Sequence, residues 1–152
     1  MTTIAETLIV GPMYEHMSDL ADDAYPDEGC GILVGRFNGE RAEILAVTSG
    51  KNLNTERSRD RYVLDPADIV EADREARARG WDIVGFWHSH PDHPAQPSKF
   101  DTDHAWTDYV YVICRTTEEG TGDINAFTLS AEGGPFEPVL LVVAPRELAA
   151  EQ

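Results

Sequence analysis

Apolar residues recur along this chain in short runs separated by polar turns, and the spacing within the runs predicts strands interleaved with a few helices. Residues 7–10 read as a brief strand. Gly11-Pro12 then opens a helix that sets Met13, Met17, Leu20 and Ala21 on one stripe, and Tyr25-Pro26 ends it because helical geometry is disfavoured before a proline. Residues 28–35 and 42–48 read as two strands of a hairpin around an Asn38-Gly39 turn. Residues 49–61 are polar and aperiodic, which marks an exposed loop. Residues 62–64 form a further short strand in this reading. Asp65 is then the N-cap of a helix with Pro66 in its first turn, residues 67–79 in its body and Gly80 at its close.

The second half continues the alternation. Residues 81–87 are an apolar run that leads into His88-Ser89-His90-Pro91, and residues 99–107 predict a short helix. Residues 108–114, 123–130 and 136–144 read as three more strands, the last two separated by Gly133-Gly134-Pro135. Residues 146–152 read as a short polar helix or a frayed end. Strands joined here by helices and there by hairpins predict an α/β fold, a mixed β-sheet flanked by helices. Neither repeat nor linker interrupts the pattern, so one domain over residues 1–152 is expected.

Composition narrows the partners. The chain has 41% hydrophobic and 26% charged residues, as a soluble globular protein does. Its 12 basic against 28 acidic residues give a net charge of −16, which repels phosphate backbones and anionic membrane surfaces, so neither is an expected partner. So acidic a surface suits a salt-rich cytoplasm and an ordinary well-solvated one alike. Residues 49–61 hold four of the 12 basic residues, either as a solvated loop or as a place for an acidic partner. Cys30 and Cys114 lack any disulfide or CxxC spacing, which fits a reducing compartment. The first residues lack the basic start and apolar core of a signal peptide, and the longest apolar run, residues 139–144, is too short to span a bilayer. A cytoplasmic location is expected.

Side chains two apart on a strand share a face, so His88 and His90 point the same way with Ser89 opposite. Two imidazoles converging at a strand end suit a metal, and Asp101 can supply a third ligand across a connection stiffened by Pro91, Pro94 and Pro97. Three ligands leave a catalytic zinc one position for water, whose pKa falls toward roughly 7. Glu28 is the candidate base, and the Ser98 hydroxyl the candidate donor to a developing oxyanion. Each has a plainer reading: Glu28 as a solvated strand start, and Ser98-x-x-Asp101 as a helix capping box with Asp in place of Glu. Asp92, His93, Asp103 and His104 lie nearby and read as outer or solvated groups, and Cys30 as a packed small hydrophobe.

Glu28, His88-Ser89-His90-Pro91 and Ser98-Lys99-Phe100-Asp101, with seven residues between His90 and Ser98, resemble the signature of the JAMM (MPN+) zinc metalloprotease family. Glu28-Gly29-Cys30-Gly31 and the helix at Asp65-Pro66 look like its small bacterial branch, which resembles sulfur-carrier-protein-cysteine hydrolases. The resemblance implies a cytidine-deaminase-like JAB/MPN fold, with Zn2+ on His88, His90 and Asp101, Glu28 as general acid/base and Ser98 as oxyanion stabiliser. It further implies hydrolysis of the amide bond after the C-terminal Gly-Gly of a ubiquitin-like sulfur-carrier protein, releasing cysteine or trimming residues. On this reading Gly29 and Gly31 leave room for a thin glycine tail. The alternative is a non-catalytic MPN-type interaction scaffold, against which the retention of all five positions argues. A zinc deaminase would need His-x-Glu and Pro-Cys-x-x-Cys, which are absent. The sequence leaves the oligomeric state open.

Overall fold

The computed structural model describes residues 4–129 and 131–145, so the reading of residues 146–152 lies outside the described residues. The elements in chain order are β1 (Glu6–Val10), α1 (Gly11–Ala24), β2 (Cys30–Asn38), β3 (Arg41–Ser49), α2 (Pro66–Ala78), β4 (Asp82–Pro91), α3 (Lys99–His104), β5 (Val110–Thr117), β6 (Gly120–Leu129) and β7 (Phe136–Ala144). The sheet is mixed and helices flank it, as the pattern predicts. It is also closed, in the order β1-β3-β2-β4-β5-β6-β7. Closure comes from β1, which pairs in parallel with β3 on one side and β7 on the other and so leaves no free edge. β4 and β5 are parallel, and the remaining pairs are antiparallel.

Two apolar clusters position the helices. Met17 and Ala21 of α1 are buried with Ile9, Leu33, Ile44, Trp87 and Val112. Ala72 and Ala76 of α2 pack on Ile32, Val34, Phe86 and Tyr111. The N-cap of α2 is as expected, Asp65 Oδ1 accepting from the Ala67 amide at 3.0 Å. Neighbouring residues of β4 thus serve opposite faces, Phe86 toward α2 and Trp87 toward α1. By that period His88 and His90 emerge beside Phe86, and Ser89 turns inward with Trp87.

Three local readings change. Residues 62–64 form no strand, only an isolated bridge between Asn52 and Leu64. The Asn52 carboxamide takes the place of a ladder: its Oδ1 accepts from the Asn54 and Val63 amides at 3.0 Å each, and its Nδ2 donates to Arg61 O at 3.1 Å. β4 runs through both histidines to Pro91, because β2 and β5 pair with it on either side. α3 stops at His104, where Ala105 turns extended.

The glycines before and in β2 do not form a passage. Trp87 is 1% exposed and its indole N–H donates to Thr48 O at 2.8 Å. A Cβ on Gly31 would lie 2.4 Å from Trp87 Nε1 and 1.9 Å from Thr48 O, and one on Gly29 would lie 2.9 Å from Ala24 Cβ. Both glycines make room for the indole and for α1, which corrects the expectation that they admit a substrate tail. Among the described residues no helix is long and apolar enough to cross a membrane.

Candidate metal centre

The antiparallel register of β2 on β4 sets Cys30 opposite His88. Followed two residues further, it brings Glu28 opposite His90, and two contacts hold this extension. The Gly29 amide donates to Ser89 Oγ at 2.7 Å, and the Ser89 amide donates to Gly29 O at 3.0 Å. A carboxylate far away in sequence thereby reaches the histidine pair. A carboxylate oxygen of Glu28 and ring nitrogens of His88 and His90 all lie within 4.8 Å of one another.

Asp101 arrives from the other side, in the first turn of α3. Ser98 Oγ accepts from the Asp101 amide at 3.1 Å, and Asp101 Oδ2 accepts from the Ser98 amide at 2.8 Å, a reciprocal capping box. The cap fixes the rotamer that turns Oδ2 toward the histidines. Because Ser98 Oγ is used there as an acceptor, its O–H stays available to donate.

Three atoms converge. Nε2 of His88 and Nε2 of His90 are 3.1 Å apart, and Asp101 Oδ2 is 3.2 Å from the first and 3.1 Å from the second. His90 Nδ1 is 2.9 Å from the carbonyl of Pro94, to which only an N–H can donate. In the neutral ring this leaves Nε2 with its lone pair facing the carboxylate oxygen. Two lone pairs aimed at each other call for positive charge between them: a cation, or the proton that Asp101 and the Pro94 carbonyl favour on His90 against burial. Tetrahedral zinc with bonds of about 2.0–2.1 Å separates its ligands by roughly 3.3 Å, close to the edges of this triangle. Nitrogen, nitrogen and carboxylate oxygen are also the donor set of open zinc sites.

Electrostatics follow from burial. His88 is 1% exposed, and burial keeps its imidazole below its ordinary pKa and hence neutral, although Asp101 pulls the other way. Burial opposes ionisation of Asp101, but His88, His90 and the Ser98 amide outweigh it and hold the carboxyl far below the usual range. Glu28 is the reverse case. Burial pushes it up to about 8; His90 opposes the rise, while Asp101 and Asp60 add to it. Its Oε1 is buried and has no hydrogen-bond partner among the described residues.

Several neighbours were not legible as such. Tyr62 stacks on the His88 ring with centroids 4.5 Å apart and borders an apolar pocket of about 360 Å³ that reaches Asp101. Ser89, turned away from the histidine face, bonds to the residue after Glu28. A hydroxyl on the buried face of an otherwise apolar strand was the signal for it. The remaining acids and histidines do not join the triangle: Asp92 accepts from the Tyr25 hydroxyl at 2.9 Å, Asp103 pairs with Lys99, His104 Nδ1 meets Phe100 O, and His93 is exposed. Cys30 is buried, with its Sγ 3.9 Å from Gly50 O, and burial pushes its thiol up to about 12, as a packed small side chain rather than a ligand.

Fold and donor set together put the protein in the class of JAMM-type hydrolases. Residues 11–130 match the family described as prokaryotic homologs of the JAB domain, and the chain belongs to that family. Similar proteins include a desampylase of Haloferax volcanii, 38% identical over 104 residues that make up 64% of this chain and 73% of that protein. A probable TtuB-protein conjugate cleaving protease of Thermus thermophilus is 32% identical, over 68% of this chain and 63% of that protein's length. A CysO-cysteine peptidase of Mycobacterium tuberculosis is 29% identical, over 78% of this chain and 79% of its own. The solution structure of protein DSY2949 from Desulfitobacterium hafniense superposes with a TM-score of 0.78 at 27% identity, covering 94% of this chain and 97% of the other.

Proposed function

We propose that this protein is a zinc-dependent peptidase that hydrolyses the amide bond after the C-terminal Gly-Gly of a ubiquitin-like sulfur-carrier protein. The observation that carries the metal is the triangle of His88 Nε2, His90 Nε2 and Asp101 Oδ2, with edges of 3.1–3.2 Å and all three donor atoms directed into it. The names of the relatives support the substrate, since they include a desampylase, a conjugate cleaving protease and a CysO-cysteine peptidase.

In this reading His88, His90 and Asp101 hold the ion, which supplies Lewis acidity toward the scissile carbonyl and toward water. Glu28, buried beside the triangle, takes the proton of the attacking water and delivers it to the nitrogen of the leaving amine. The water oxygen adds to the carbonyl carbon, and the C–N bond breaks as the tetrahedral adduct collapses, giving a glycine carboxylate and a free amine. The Ser98 hydroxyl donates to the carbonyl oxygen as negative charge builds there. Tyr62 keeps water from one face of His88 by stacking on it.

The test uses the zinc-loaded protein and a ubiquitin-like domain whose Gly-Gly tail is joined either to a lysine peptide or to cysteine. Release of the domain ending in Gly-Gly, seen by mass spectrometry and lost in Glu28→Gln, is the expected result. Failure to cleave any such adduct, or equal cleavage by Glu28→Gln, rejects the reading.

A further inference from the structure

Asn52 lies in the loop after β3, and its carboxamide is filled to capacity. Oδ1 accepts from the amides of Asn54 and Val63 at 3.0 Å each, while Nδ2 donates to Arg61 O at 3.1 Å and, over a longer 3.5 Å, to Glu28 O. A carboxamide has two hydrogens and two acceptor positions, and two carbonyls and two amides use all of them. Its orientation is fixed as well, because a flipped group would set its N–H bonds against amides and its oxygen against carbonyls.

These partners frame two side chains of the site. Arg61 O and the Val63 amide belong to the two peptide groups on either side of the Tyr62 Cα. Peptide groups are planar, so holding both restrains φ and ψ of Tyr62, and with them the direction of the ring that stacks on His88 with centroids 4.5 Å apart. Glu28 is held in the same manner. Its amide donates to Ser58 O at 2.6 Å in the same loop, and its carbonyl takes the fourth bond of Asn52. One side chain outside the metal triangle and the capping box thus connects the backbone of Glu28 with the backbone that aims Tyr62 at His88. A loop anchor needs only half of this group. The bond from the Asn54 amide to Oδ1 closes an Asx turn, which Asp serves as well as Asn; the two donations, which Asp lacks, end on the backbone at Glu28 and beside Tyr62.

We propose that Asn52 is a positioning residue for the hydrolysis, its two N–H bonds keeping the Glu28 carboxylate and the Tyr62 ring in place around the metal triangle. This rests on the reading proposed above, in which Glu28 moves the proton. A reacting group misplaced by about 1 Å loses on the order of a hundredfold in rate, so backbone bonds to Glu28 bear directly on turnover.

Asn52→Asp separates the two halves of the carboxamide. It keeps an oxygen for Asn54 and Val63 and sets a second oxygen against the carbonyls of Arg61 and Glu28. With zinc-loaded protein and a ubiquitin-like domain whose Gly-Gly tail is joined to a lysine peptide, kcat is expected to fall roughly tenfold to a hundredfold, with KM within about twofold of wild type. Amide hydrogen exchange followed by NMR gives a readout that needs no turnover. In Asn52→Asp, protection is expected to persist at Asn54 and to fall about tenfold or more at Glu28. Asn54→Ala removes a different bond of the same loop, from the Arg57 amide to Asn54 Oδ1, and leaves both kcat and Glu28 protection unchanged. If Asn52→Asp does not fold, wild type decides: the Glu28 and Val63 amides are expected to open as one unit, with equal dependence on urea. Wild-type kcat or wild-type Glu28 protection in Asn52→Asp overturns the inference, as does separate opening of the two amides. Loss of Glu28 protection in Asn52→Asp, when wild type itself cleaves no adduct, upholds the hold of Asn52 on Glu28 and rejects the proposed reaction.

Discussion

The hydroxyl of Ser89 accepts a hydrogen bond of 2.7 Å from the amide of Gly29, and this contact fixes the residue beside Glu28 to the strand that carries both histidines. Ser89→Ala leaves that buried amide without its acceptor, at a cost of about 1–3 kcal/mol. A lower Tm is expected, with activity reduced and zinc content kept. Ser89→Thr, which retains the hydroxyl, is expected to recover most of both. Thermal denaturation beside metal analysis of the two variants checks this.

His88, His90 and Asp101 aim their atoms at one point, so a cation should tie β4 to α3. Chelation is expected to lower Tm and zinc to restore it, by about 4 kcal/mol when free zinc exceeds its Kd a thousandfold. In Asp101→Ala the zinc-dependent rise should vanish, and differential scanning calorimetry reads it directly.

Glu28→Gln keeps the size of the side chain and removes the carboxylate proposed as the base. A fall in kcat of about 10²–10⁴ is expected, with zinc content at wild-type level. Loss of zinc from this variant would instead make Glu28 a ligand.

Glu43 tests acid stability away from the site. Burial to 3% exposure opposes its ionisation, but hydrogen bonds from Arg36 and Arg41, each 2.6 Å, outweigh it and hold the carboxyl below its ordinary value. A depressed carboxyl contributes stability that is fully present above the unfolded pKa of about 4.3 and is lost as pH falls through the folded value. Glu43→Gln is therefore expected to lower Tm at pH 7, with the gap to wild type closing below about pH 4. Parallel melts across that range measure it.

Gly31→Ala puts a methyl 1.9 Å from Thr48 O, which is backbone and cannot step aside. Misfolding or a loss of more than about 3 kcal/mol is expected. The same change at Gly122, where nothing lies within 4 Å, is expected to be tolerated, and urea denaturation of both variants compares them.

Much of this architecture was legible in local sequence. The helix at Asp65-Pro66 begins where its cap and proline place it, and the Met17 and Ala21 stripe of α1 is buried. Local rules suffice there because a cap or a stripe is decided within one or two turns of chain. Residues 62–64 misled for the opposite reason. A short apolar run looks the same whether a neighbouring strand or a single asparagine side chain takes up its hydrogen bonds, and here Asn52 does. The glycines of β2 misled similarly, since only the fold shows Trp87 lying against them.

The sequence by itself determined which donors are present: two histidines on one strand face, a carboxylate on a capped turn and a glutamate at the entrance of another strand. Spacing along a strand or a helical turn is a local property, so those pairings could be read in one dimension. Tertiary structure decided the rest. The antiparallel register of β2 on β4 brings Glu28 to His90, closure through β1 removes the sheet's edges, and the bonds of Ser58 and Asn52 to the Glu28 backbone hold the loop after β3 beside the site. Each depends on hydrogen bonds between residues distant in the chain, whose partners are chosen by the packing of the whole fold and by no short stretch of it.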